Sequence, residues 1–432
     1  MFIRILNSEM ELATGCTEPG AVALTAAEAG QALRKAGVDK AEEITVNASI
    51  NIIKNAMSAG IPGTDYEGMD YAAAIGALGG DPVYLLEVMN HVPRETVEAA
   101  AALVKAGKVR VNVAQVPQKL YIEVIAKGGG HTGRAIVRDL HTNVVLVEQD
   151  GVATLDKRDT DTAAAGDSDV VSPEQIASFL TVRSIWDYCT KELDPMNDPI
   201  DIIRSAVKVN SVISDEGLSK EYGLAIGRNL DLNCRKGLMT RDLTTNSMIA
   251  AAAGADARMA GAPVSVVANS GSGNQGITCS VPLIEYAKEL HSGKEKLYRA
   301  LIISNLVAIH EKTGIGTLSA YCGAVSAGAG AGAGIVYLCG DGYQAAIHTV
   351  VNALAIVSGI VCDGAKASCA AKIASSVDAA LLGYNMYKCH QEFKGGDGIV
   401  MKDIETTIKG IGRLGKDGMK ETNEEIIRLM IE

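Results

Sequence analysis

Aromatic side chains are scarce: three phenylalanines and one tryptophan stand beside 13 tyrosines in 432 residues. A core built on large rings is excluded, and the 46 glycines with many alanines point instead to helices packed closely through small residues. Prolines number only 10, and the hydrophobic set makes up 47% of the chain against 21% charged, so most of it folds rather than remaining a disordered tail. Positive charge is also in short supply, with 40 Lys+Arg against 51 acids and a formal net charge of -11. Without a dense Lys/Arg run, nucleic acid and anionic membrane surfaces are poor partners.

A long lipid-facing run is missing too. Residues 317–339 carry no charge and nearly reach spanning length, but Gly, Ala and Ser dominate them and no basic flank frames them. They read as a tightly packed internal helix, or two meeting at a glycine break. No export signal is expected, because Met1 to Leu12 carries Glu9 and Glu11 and has no apolar core. The expected location is cytoplasmic and reducing, leaving the nine cysteines free for metal or chemistry.

At roughly 150 residues per domain the length allows two or three domains. The pattern predicts a mostly α protein with a smaller inserted α+β domain. Residues 1–84 read as the first part of a helical domain, 85–155 as the insert, the polar stretch 156–172 as a linker and 173–432 as the main helical body. Within the first part, a short helix is expected over 7–15 and an alanine-rich one over 21–36, opened by Pro19 and capped by Thr17. Strands are expected over 42–49, 109–116, 120–126 and 134–147. From Pro173 onward nearly everything reads as helix, with apolar helices inside, a charged tail outside, and small-residue faces that suit a homodimer contact.

The densest chemical signal is Cys362-Asp363-Gly364-Ala365-Lys366-Ala367-Ser368-Cys369. On a straight helix the two alpha carbons would stand about 10 Å apart, so the chain must break if both thiols serve one centre. Asp363-Gly364 supplies a turn, and Ser368 is placed to cap a new helix that holds Cys369 in its first turn. A soft-metal site needs three or four ligands, and Cys322, at the head of the glycine-rich run, is the natural third, with Cys339 and Cys279 as rivals. By spacing alone, buried structural thiols remain the commoner outcome for such a pattern.

Two further features bear on chemistry. Cys16, in Gly15-Cys16-Thr17-Glu18-Pro19-Gly20, falls at a helix start, where unpaired N–H groups favour a thiolate. The loop from Asn269 to Gly276 exposes backbone donors, and Ser272, Asn274 and Gln275 add directional groups suited to a carboxylate. It lacks a phosphate-binding lysine and the strand-start context of a dinucleotide loop, so substrate loop and plain turn stay equally open.

The segments Ala13 to Pro19, Ser272 to Gly276 and Cys362 to Cys369 together resemble the L-cysteine desulfidase family, itself related to the alpha subunit of iron–sulfur L-serine dehydratases. The similarity runs over essentially the whole chain, with the three motifs in order. It implies a [4Fe-4S] cluster held by Cys322, Cys362 and Cys369, with one iron open to substrate, a catalytic thiol at Cys16, and a helical catalytic body. The implied reaction converts L-cysteine to pyruvate, ammonia and sulfide; the alternative is dehydration of L-serine. The substrate-binding set is Ser272, Asn274 and Gln275. Cys16 can serve as the base if its helix-start position lowers its pKa, or instead handle the departing sulfur or shield the cluster. Lys312 and Lys366 are secondary candidates for charge compensation, and His131 for reaching the cleft from the insert. No lysine sits in a convincing pyridoxal-phosphate motif, which favours the cluster route. A non-catalytic redox sensor with a closed fourth ligand is the remaining different class.

Overall fold

The computed structural model describes residues 1–159, 171–316 and 318–431. Most of the expected linker 156–172 lies outside the described residues, as does Thr317. The chain is predominantly α-helical, with a smaller mixed sheet near the N-terminal third. Among the described residues no helix is long and apolar enough to cross a membrane.

Strand β1 (Met10–Thr14) follows a first helix, Phe2–Glu9. A helix was expected over 7–15, since Met10-Glu11-Leu12-Ala13 has good helix propensity. Pairing overrides it: β1 runs antiparallel to a distant segment, Ser265–Asn269, with Met10 opposite Asn269 and Thr14 opposite Ser265. The result places the Cys16 motif and the Asn269–Gly276 loop side by side.

The larger sheet contains β2 (Glu43–Ala48), β3 (Val109–Val113), β4 (Tyr121–Gly128), β5 (His131–Arg138), β6 (Val144–Gln149) and β7 (Val152–Asp156), in the order β3-β2-β4-β5-β6-β7. Only β2 and β3 pair in parallel. The single strand expected over 134–147 is two, because the chain turns at Asp139–Asn143. The expected boundary at 84/85 does not separate packing units. Strand β2 enters the sheet from before it, and one hydrophobic core joins Val22, Leu24 and Leu33 of the helix Thr17–Lys35 to Val46, Val124 and Val137 of the sheet. A helix over Met69–Gly79, not foreseen from the pattern, completes that layer.

A second core lies in the helical body. Expected helices are found as Leu243–Met259, Lys294–Ile315, Tyr343–Val357 and Cys369–Lys388, while the one expected over 281–290 begins earlier, at Gly273. The stretch expected as one helix over 173–189 breaks into Pro173–Phe179 and Val182–Asp187, each opened by its own capping box. At the centre is the helix Gly323–Leu338, buried along most of its length. Its glycines let neighbouring backbones touch it: a Cβ on Gly330 would stand 2.4 Å from the Ser304 carbonyl oxygen, and one on Gly334 2.7 Å from that of Ala300. Small residues thus substitute for ring packing, as the composition required.

Gly330→Ala is expected to cost about 1–3 kcal/mol by overpacking, because the obstructing atom is backbone. Gly359→Ala, whose Cβ meets nothing within 4 Å, is the control, expected to lie within about 0.5 kcal/mol of wild type. Urea unfolding of the pair measures both; equal stabilities would refute the close-packing account.

Candidate active site

Four helices begin at one cavity between the two cores. The helix Thr17–Lys35 starts from Cys16 as N-cap, Gly273–Glu289 from Ser272, Gly323–Leu338 from Cys322, and Cys369–Lys388 from Ser368. Each start directs unpaired backbone N–H groups and the positive end of its dipole inward. The cavity wall includes Glu18, Ser272, Asn274, Gln275, Cys322, Cys362 and Cys369, and about 110 Å³ is open to the centres of water-sized groups. One water needs roughly 10–15 Å³ on this measure, so the space suits a ligand of several atoms.

Backbone bonding explains how distant cysteines share the wall. The Cys362 amide donates to the Ala320 carbonyl at 2.7 Å, and the Cys322 amide to that of Ile360 at 3.2 Å, an antiparallel bridge that sets the two loops together. The chain then turns at Gly364, with φ of 90°, and returns Cys369 to the same cavity. An ion pair from Lys372 to Asp363 clips this turn shut. Ser368 is at the N-cap as expected, but its hydroxyl makes no capping bond.

All three thiols are free. Burial drives the Cys322 thiol up to about 12, with Cys362 adding to the rise, and burial also raises Cys369. Among the described residues no group of three His, Cys, Asp or Glu side chains is placed to hold a single metal ion. Cys339 is exposed, and Cys279 is buried against Ala308 and Ala327; neither lines the cavity.

Cys16 does not line the cavity either. It is buried behind it, packed with Ala59, Met259, Ala365 and Cys369. The expectation of an acidic thiol is corrected here: burial pushes Cys16 up to about 12, and the nearby Arg258 only partly offsets this. Helix-start stabilisation amounts to about 0.3–2 kcal/mol, which desolvation exceeds at a fully buried site. Thr17, expected as the cap, lies inside the helix, and its hydroxyl is 2.9 Å from the Gly271 carbonyl.

The substrate-loop residues are together. Ser272 accepts the Gln275 amide at 3.4 Å, so its hydroxyl serves as a cap. Asn274 Oδ1 and Gln275 Oε1 are buried acceptors without partners. Beside them is the buried guanidinium of Arg258, whose Nε also lacks a partner. Lys312 lines the same cavity, its pKa lowered by burial against the pull of Cys362 and Cys322. Lys54 stands nearby, donating to Asn423 Oδ1 at 2.8 Å and lying 3.4 Å from the Cys362 carbonyl. Lys366 is near Cys16 and Cys369 but does not line the cavity.

His131, weighed as a group that could reach the cleft against an ordinary turn histidine, does not line the cavity: it is partly exposed, 2.8 Å from Asp150. The histidine that reaches the cavity is His141, from the turn between β5 and β6. Its Nε2 is 3.9 Å from Glu18 Oε1, which accepts a 2.8 Å bond from Asn55 Nδ2. Burial would raise the Glu18 carboxyl, but His141 and Asn55 outweigh it and hold the group down to about 2. Asn55, Arg258 and His141 carried no local motif; only the long-range packing of Asn51–Asn55, β1 and the 139–143 turn collects them.

With this geometry in view, the family of the chain can be given. A family model for the serine dehydratase alpha chain matches residues 86–428. The chain therefore belongs to the serine dehydratase alpha chain family. It is 42% identical to the UPF0597 protein of Oleidesulfovibrio alaskensis over 430 residues, covering 100% of this chain and 97% of that one. It is 43% identical to the UPF0597 protein DSY1109 of Desulfitobacterium hafniense, covering 100% and 96%, and 40% identical to that of Finegoldia magna, covering 100% and 99%.

Glu18 has its pKa depressed from 4.5 to about 2, a difference worth about 3 kcal/mol to the folded state. Because the folded value is the lower one, this contribution is full above pH 4.5 and is lost as pH falls toward 2. Urea unfolding of wild type and Glu18→Gln should show a gap of about that size at pH 6 that narrows steadily on acidification. A gap independent of pH would refute the ionic account of Glu18.

Proposed function

We propose that the protein is a β-eliminating lyase of the serine-dehydratase type, converting L-serine to pyruvate and ammonia with a [4Fe-4S] cluster held by Cys322, Cys362 and Cys369. The observation that carries this reading is that three free cysteines and a set of unpaired polar groups for a zwitterionic ligand line one cavity. Three free cysteines lining one cavity are the donor type that an iron–sulfur cluster takes. Each cysteine of a cluster binds a different iron, so the thiols need not crowd around one point. When bound, the cluster supplies Lewis-acid polarisation at an open iron.

The chain's own groups do the rest. Arg258 and the first-turn amides of the helix Gly273–Glu289 hold the substrate carboxylate. The unpaired oxygens of Asn274 and Gln275 accept from the substrate ammonium, which removes the cost of leaving them bare. The positive helix ends and Lys54, Lys312 and Lys372 balance the negative charge of bound thiolates. Elimination removes the α-proton and the β-substituent, and the resulting 2-aminoacrylate tautomerises and hydrolyses to pyruvate and ammonia.

A second reading, desulfidation of L-cysteine, is favoured by Cys16, which adds a neutral thiol against Cys369 and makes the surroundings rich in sulfur. The reconstituted protein should therefore be assayed anaerobically with both amino acids, following pyruvate and sulfide. Pyruvate from L-serine at the higher kcat/KM supports dehydration; equimolar sulfide and pyruvate with L-cysteine preferred supports the second reading. Neither product, in a protein carrying iron and sulfide, would sink both. Arg258→Met is expected to raise KM by roughly 10- to 100-fold, whereas loss of any one of the three cysteines should abolish cluster absorbance.

A further inference from the structure

We propose that His141 is the general acid that protonates the departing β-substituent, an assignment that rests on the elimination reading above. The side chain is buried, and its Cε1 packs so closely on Gly271 that a Cβ there would stand 3.0 Å away. Gly271 has φ of 73°, a second reason for glycine at that contact. The ring is thereby fixed at the wall of the cavity that His141 lines, with its Nε2 buried 3.9 Å from Glu18 Oε1, beyond hydrogen-bond distance. This nitrogen belongs to a group that the elimination scheme has not yet used.

The charges facing the ring decide which way a proton moves. Glu18, from the helix Thr17–Lys35, and Glu11, from β1, are carboxylates; Arg258, from the helix Leu243–Met259, opposes them. Burial alone would lower the imidazole pKa, but the two carboxylates outweigh burial and Arg258, and the net direction is upward. A charged imidazole has donors on both nitrogens and no acceptor. In that charged form the ring gives a proton and cannot take one.

Elimination from L-serine needs such a donor. The electron pair of the Cα–H bond becomes the Cα=Cβ double bond as the α-proton passes to a base. The Cβ–O pair leaves with oxygen, the Nε2–H bond breaks, and a new O–H bond completes a water molecule. His141 is left neutral and regains a proton from solvent. Hydroxide is a poor leaving group, whereas chloride departs without a proton; sulfide departs as its stable monoanion and depends on the donor far less.

The test compares L-serine with β-chloro-L-alanine on the reconstituted wild type and on His141→Gln, following pyruvate. Turnover of L-serine should fall by about 10²–10⁴-fold, the usual contribution of general-acid catalysis, while β-chloro-L-alanine is largely spared. Parallel loss of both substrates in a folded variant, or loss of neither, would overturn the assignment. A second readout is independent of turnover and of whether His141→Gln folds. In NMR titration of the full chain the His141 ring signals should report a charged ring at neutral pH, with a lower midpoint in Glu18→Gln; a neutral ring in the wild type would overturn the assignment. Wild type that yields pyruvate from none of L-serine, L-cysteine or the chloro compound would remove the elimination reading itself, an outcome distinct from active wild type with an indifferent His141.

Discussion

Convergence of helix N-termini on a buried cavity is the constraint on which the site depends. Unpaired N–H groups at each start favour negative charge, yet burial, the largest cause, leaves the Cys16 and Cys322 thiols near 12. The two effects have different ranges. Dipole stabilisation is confined to one turn and is modest, whereas removal of water penalises a thiolate over the whole site. A cavity of this kind becomes favourable for thiolates only when something cationic completes it. Lys54, Lys312 and Lys372 each feel the Cys322 or Cys362 charge, so the electrostatics are prepared for an anionic assembly with a positive partner.

That convergence needs close helices, which explains the composition. Were Gly330 or Gly334 any larger residue, the central helix would be pushed from Lys294–Ile315 and its start, at Cys322, would move from the Cys362 bridge. The sheet-bearing part is equally involved. It contributes Glu18, Asn55 and His141, so the cavity is assembled across two cores rather than inside one. The family match starts at residue 86 and so includes His141, Arg258 and the three cysteines, while Cys16, Glu18 and Asn55 precede it.

Local chemistry was readable from the sequence where a short segment carries its own geometry. Cys362 to Cys369 must turn at Asp363-Gly364 for both thiols to face one place, and the structure has Gly364 at positive φ there. The Asn269–Gly276 loop announced itself by its exposed donors. Features set by distant packing were not readable. Met10–Thr14 became a strand because Ser265–Asn269 pairs with it, 255 positions away on average, and no local pattern states that. His131 opens β5 after a glycine turn and His141 sits in the turn between β5 and β6, and only the fold of those strands sends the second inward. The acidity of Cys16 was misjudged for the same reason, since a helix start is visible in sequence and burial behind Cys369 is not.

Charge at two scales separates candidate ligands. The chain carries a net charge of -11, which at long range disfavours anions as a class. A zwitterionic amino acid has no net charge and is indifferent to that field, so recognition passes to the cavity wall. On the proposed reading, Arg258 and the helix starts there address the carboxylate, and the bare oxygens of Asn274 and Gln275 address the ammonium. With those two groups held, what remains to be distinguished is the β-substituent. A wall bearing an imidazolium favours a substituent that must leave with a proton, and a wall bearing thiols favours one that leaves as sulfur. Both features are present: His141 lines the cavity with the three cysteines proposed as ligands, whereas the additional thiol, Cys16, stands behind it. On the proposed reading, that placement favours departure of hydroxide, and so L-serine over L-cysteine.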